Sequence, residues 1–134
     1  MKIILDANVI IAAFAAHGLC SSVLELCLDR FDVVLSEEIL KEVSVHLVDK
    51  VKLPAAQCES IITFLKKNCF ISPIDNAVNS SCRDKNDFHV LGLAQHSSTD
   101  YIVTGDKDLL VLIRHNNTKI ITPREFWEIV KVSE

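Results

Sequence analysis

Lys2-Ile3-Ile4-Leu5-Asp6-Ala7-Asn8-Val9-Ile10-Ile11-Ala12-Ala13 opens the chain with an apolar run that stops at a carboxylate and continues into alanines. A short run of β-branched and aliphatic residues without alternation suits a strand buried on both faces. The helix-compatible stretch Ala7–Ala16 follows it at once. The same alternation continues outward. Ser21-Ser22 are placed to cap a helix over Val23–Arg30, and Asp32–Leu35 reads as the second strand. Ser36 is an N-cap candidate, with Glu37 and Glu38 in the first turn, where the helix dipole favours acids; Leu40, Val43 and Leu47 then form a core stripe to about Val48. Pro54 opens a helix over Ala55–Lys67, Phe70–Ile74 is the third strand, and the polar stretch Asn76 to Asn86 is a loop. A helix over Asp87–Ser97, a strand over Tyr101–Thr104 broken by Gly105, a short helix over Asp108–Ile113 and a strand over Lys119–Ile121 come next. Thr122-Pro123-Arg124-Glu125 is a capping box with proline at the first helical position, opening a last helix through Val130. The order predicts an α/β fold, a three-layer α/β/α sandwich with a mainly parallel central sheet of about five strands.

With 134 residues, residues 1–134 are expected to form one domain. Hydrophobic residues make up 49% and charged residues 24%, which excludes disordered and fibrous classes. The longest apolar run, Val9 to Ala16, spans eight residues, well short of the ~20 a membrane helix needs. Three apolar residues before Asp6 do not build the core of a signal peptide. Five cysteines without a C-x-x-C pair read as reduced thiols and point to the cytoplasm. Fourteen basic against eighteen acidic residues give a formal charge of −4, a poor balance for unaided binding of a phosphate backbone.

Acids fall where strands end. Asp6 follows Leu5, Asp106 follows Gly105 with Asp108 two residues on, and Asp84 and Asp87 lead into the Phe88 helix. Glu38 and Glu42 share a helix face one turn apart. Ligands of open parallel sheets bind beyond the carboxyl ends of strands. Each acid taken alone could be a helix cap or a solvated charge. Several converging on one rim would repel one another and raise each other's pKa. A hard divalent cation such as Mg²⁺ or Mn²⁺ removes that penalty and suits oxygen ligands. It also activates water and stabilises an in-line phosphoryl displacement.

Four blocks carry a family resemblance. Ile4-Leu5-Asp6-Ala7-Asn8-Val9-Ile10-Ile11 resembles the opening of PIN domains, where apolar residues precede D-T/A-N and an apolar helix. Ser36-Glu37-Glu38-Ile39-Leu40-Lys41-Glu42-Val43 is similar to their second block, whose functional acid maps onto Glu42. Asp84-Lys85-Asn86-Asp87-Phe88-His89-Val90-Leu91 resembles the third, with its acid at Asp87. Tyr101-Ile102-Val103-Thr104-Gly105-Asp106-Lys107-Asp108-Leu109-Leu110 is similar to the fourth, placing the acid on Asp106 with Asp108 beside it. Asp-x-Asn alone is a weak signal, whereas Val-Thr-Gly-Asp-x-Asp-Leu-Leu is far more specific. The ending Ile121-Thr122-Pro123-Arg124-Glu125-Phe126 also resembles that of the bacterial toxin-component, VapC-like, subgroup. Basic and polar residues in Ser81-Cys82-Arg83-Asp84-Lys85-Asn86 depart from the commoner acidic text and count against an accessory role for Asp84.

The resemblance implies a Mg²⁺- or Mn²⁺-dependent endoribonuclease, the toxin of a type II toxin–antitoxin system, with RNA as substrate, a small antitoxin as partner, a homodimeric state and no membrane association. Asp6, Glu42, Asp87, Asp106 and Asp108 would hold metal, Asn8 and Thr104 would orient the acids, and Arg83, Lys85 and Lys107 would meet substrate phosphates. His89 is expected to be packing or surface. The alternative is a catalytically inactive PIN-like module that binds RNA or protein. A haloacid-dehalogenase-type phosphotransferase needs D-x-D where this chain has Asp6-Ala7-Asn8, and a receiver domain needs an acid ending a middle strand, which Phe70–Ile74 lacks.

Overall fold

Ile3, Ile4 and Leu5 have no exposed surface, as an unalternating apolar run at the middle of a covered sheet requires. They form β1 (Lys2–Leu5) in a computed structural model that describes residues 1–133. The chain continues through α1 (Ala7–Ala15), α2 (Leu19–Arg30), β2 (Asp32–Leu35), α3 (Glu37–Asp49), α4 (Ala55–Asn68), β3 (Phe70–Ile71) and a single 3₁₀ turn at Lys85–Asp87. Then come α5 (Phe88–Ser97), β4 (Tyr101–Val103), α6 (Lys107–Leu110), β5 (Arg114–His115), β6 (Thr118–Ile121) and α7 (Pro123–Ser133). The sheet order is β3-β2-β1-β4-β6-β5, parallel except for β5 against β6. The fold is a three-layer α/β sandwich. Because strands are added on one side of β1 and then on the other, right-handed crossovers send helices to opposite faces. The strand direction of growth reverses between β1 and β4, and the crevice there opens at their carboxyl ends.

Strand register builds the rim of that crevice. Leu5 lies opposite Val103, so the next residues, Asp6 and Thr104, face each other across it. Phe126 of α7 is fully buried and meets Phe31 and Tyr101 edge-on at 6.0 Å each, contacts worth about 0.5–1.5 kcal/mol apiece beyond their burial. Two of the expected caps form. Ser36 Oγ accepts from Ile39 N at 3.1 Å, and Thr122 and Glu125 exchange bonds of 3.1 Å each way.

The sheet has six strands where about five were expected. The extra one, β5, makes an antiparallel hairpin with β6 through Asn116-Asn117, with Asn116 at φ 53°, a left-handed conformation asparagine tolerates. Helix α2 starts at Leu19, capped by Gly18, so Ser21 and Ser22 lie inside it rather than before it. The third strand stops at Ile71 because Pro73 has no N–H to extend the ladder. The short helix α6 begins at Lys107 and ends at Leu110, since Asp106 takes the capping position. No single helix among the described residues is long and apolar enough to cross a membrane.

Candidate metal centre

Asp6 ends β1 and caps α1 at the same time. Its Oδ1 accepts from Ala7 N at 2.8 Å. Its Oδ2 accepts from Thr104 Oγ at 2.7 Å and from Asn8 Nδ2 at 3.2 Å. Thr104, fully buried at the end of β4, also accepts from Asp106 N at 3.0 Å, so one hydroxyl links the two strand-end acids. Asn8 Oδ1 in turn accepts from Gly105 N at 3.2 Å and ties the start of α1 to the turn after β4. Asp106 caps α6, its Oδ1 accepting from Asp108 N at 2.9 Å. Glu42 arrives from the second turn of α3, and Asp87 from the 3₁₀ turn ahead of α5.

Asp6, Glu42, Asp87 and Asp106 line one depression of about 400 Å³, together with Ala7, Asn8, Ile11, Ala12, His46 and Lys50. A larger hollow of about 590 Å³ lies by Lys2, Asp32 and Phe70 and holds a single carboxylate, so volume is a poor guide to the chemistry here. The sequence pattern missed His46 and Lys50. They stand four and eight residues past Glu42 on α3, and that spacing alone puts them on its face.

The electrostatics are those of acids crowded around one depression. Burial pushes the Asp6 carboxyl up, and Glu42 adds to this; the bonds from Thr104 and Ala7 pull the other way without cancelling it. Asp87 is pushed up from 3.8 to about 7, first by burial and then by Asp106 beside it, with Asp84 and Asp6 contributing. Its Oδ2 is enclosed and has no hydrogen-bond partner among the described residues. A buried, unpaired carboxylate oxygen is costly. Carboxylate oxygens, one of them orphaned, are the donors Mg²⁺ or Mn²⁺ takes, and the chemistry of these side chains suits such a cation.

Asp108 keeps company with Asp87 but stands off the depression itself. It is not on the wall of the depression; its carboxylate meets Arg83 Nη2 at 3.1 Å. Asp84, Asp87 and Asp108 each bring a carboxylate oxygen within 4.8 Å of the others, so Asp84 does stand beside Asp87, and Asp87 belongs to both groups. Arg83 is 85% exposed, and Lys85 and Lys107 are exposed too; none of the three lines the depression. His89 is not mere packing. Its Nε2 lies 2.7 Å from Glu42 Oε1, with the ring 15% exposed. Burial disfavours the charged ring, but the bond to Glu42 and the charges of Glu42, Asp6 and Glu38 outweigh it and raise its pKa.

Residues 2–108 match the profile of a family described as PIN domain. Among curated proteins no sequence match is found. Eleven chains of solved structures match the fold. One, from the crystal structure of VapBC2 from Rickettsia felis bound to a DNA fragment from their promoter, is 14% identical with a TM-score of 0.65, over 91% of this chain and 98% of that one.

Proposed function

The chain belongs to the PIN-domain family, and from that premise we propose that it is a metal-dependent endoribonuclease acting as the toxin of a type II toxin–antitoxin pair. The observation that carries this reading is the four carboxylates on one depression at the carboxyl ends of β1 and β4, with an orphaned Asp87 oxygen among them. Asp6, Asp87 and Asp106 would hold Mg²⁺ or Mn²⁺ directly, with Glu42 as a fourth ligand or acting through water. When bound, the cation supplies water activation and charge stabilisation at phosphorus.

The chain's own groups do the rest. Thr104 and Asn8 fix the Asp6 carboxylate by two donors on one oxygen. Lys50 puts positive charge on an otherwise acidic wall, with the His46 ring beside it as a hydrogen-bonding group, where a phosphodiester flanking the scissile one would lie. His46 Nδ1 donates to Glu42 O at 2.9 Å, because a carbonyl only accepts, and this leaves Nε2 as the ring's other polar atom. Arg83, Lys85 and Lys107, exposed outside the depression, would meet substrate phosphates further along the strand. With a net charge of −4, RNA binding leans on the cation and these few groups. The likeness in fold to a chain of a VapBC2 complex supports an antitoxin as partner; a homodimer in the cytoplasm belongs to the same proposal and rests on the sequence reading.

The test is Mn²⁺-dependent cleavage of single-stranded RNA, compared with Asp6→Asn and with EDTA. Cutting that both treatments abolish is the expected result. Cutting that survives EDTA would overturn the metal-dependent assignment, and RNA binding without any cutting would favour an inactive binding module.

A further inference from the structure

Building on the metal-site reading, we propose that His89 is a positioning residue that pins the Glu42 carboxylate in place against the other three acids. The four carboxylates are not held alike. Asp6 has three hydrogen bonds to its carboxylate, and Asp106 is fastened as a helix cap. Glu42 is a longer side chain on an outer helix, 43% exposed, and among the described residues its carboxylate is held by the 2.7 Å bond to His89. Without that bond, a side chain of this length and exposure samples several rotamers, and only some of them bring the carboxylate to the site.

The geometry of the ring says which way the bond runs. An ionised carboxylate only accepts, so Nε2 carries the proton and donates. Nδ1 is enclosed and has no partner among the described residues, so nothing competes to turn the ring away from Glu42. His89 sits in the first turn of α5, two residues after Asp87. The bond therefore joins the helix that carries Glu42 to the segment that carries Asp87. A ligand held by such an outer partner loses affinity when the partner is removed, although the partner never touches the cation.

The experiment titrates Mn²⁺ by calorimetry into the wild-type chain, His89→Leu, His89→Gln, Glu42→Gln and the double variant Glu42→Gln/His89→Leu, with the melting temperature of each recorded without metal. Leucine keeps the bulk and removes the donor; glutamine puts an amide N–H near the position of Nε2. His89→Leu is expected to weaken Mn²⁺ binding about tenfold, and His89→Gln to stay within about threefold of wild type. The double variant is expected to bind no more weakly than Glu42→Gln alone, because the histidine acts only through the glutamate. A purely structural ring would give losses that add in the double variant and track the melting temperature, and that result overturns the proposal. Equal Mn²⁺ affinity of wild type and His89→Leu overturns it as well. A wild-type chain that takes up no Mn²⁺ overturns the metal reading too, which separates the two failures.

Discussion

Asp87→Asn should stabilise the metal-free protein at alkaline pH while abolishing its response to metal. The native carboxyl is pushed from 3.8 to about 7 by burial and by Asp106. Between those two pH values the folded state holds a proton that the unfolded state has released. Stability contributed by Asp87 is thus full below the ordinary pKa and is lost as pH rises through about 7. The full rise corresponds to about 4 kcal/mol at ~1.36 kcal/mol per decade. Asp87 is only partly enclosed, and water screens the repulsion, which brings the penalty to about 1–2 kcal/mol. Asparagine removes the charge and lets an amide N–H face Asp106. At roughly 3–5 °C per kcal/mol for a domain of this size, the melting temperature at pH 8 in EDTA should rise by about 3–10 °C. At pH 3, below the ordinary pKa, where the carboxyl is protonated in the folded and the unfolded chain alike, the two proteins should melt within about 2 °C of each other. Adding Mn²⁺ at pH 8 should raise the melting point of wild type and leave the variant unmoved. Scanning calorimetry at the two pH values decides it. An equal change at pH 3 and pH 8, or a loss of stability at pH 8, would refute the claim that Asp87 stores repulsion.

Thr104→Val removes the donor to Asp6 and the acceptor for Asp106 N without changing shape, and urea unfolding should show a loss of about 2 kcal/mol. Gly92→Ala places a Cβ 2.3 Å from the Asp75 backbone oxygen, so α5 must shift; the expected cost is about 1–3 kcal/mol, while Gly18→Ala, with open space around it, should cost under about 1 kcal/mol. In an Asp6→Asn background that binds but does not cut, Lys50→Ala should lower affinity for single-stranded RNA and reduce the salt slope by about 0.7, read by fluorescence anisotropy at several salt concentrations.

Elements with strong periodic or terminal signals were readable from residues alone. The buried run ending at Asp6, the Ser36 cap and the Thr122–Glu125 box each encode their structure within a few positions, because strand burial and capping are local physics. The pairing of Asp6 with Thr104 was accessible too, since both end apolar strands. What stayed hidden depends on tertiary contact. Strand β5 is two residues long with no alternation, and only pairing with Thr118–Lys119 makes it a strand. His89 looks like any polar residue in an apolar helix until α3 brings Glu42 to it. The parting of Asp108 from Asp106 is a matter of two residues of helix, which turns one carboxylate to the depression and the other to Arg83.

The bond between Thr104 and Asp6 joins residues 98 positions apart. A ribosome makes the chain from the amino end, so Asp6 emerges long before its partner. Until β4 has left the exit tunnel, β1 lacks a neighbour on one side, and neither Thr104 nor Asp106 exists to complete the acid cluster. Long-range parallel pairing of this kind also closes slowly. On the proposed ribonuclease reading, the activity is thereby silent in any nascent chain that has not yet delivered β4.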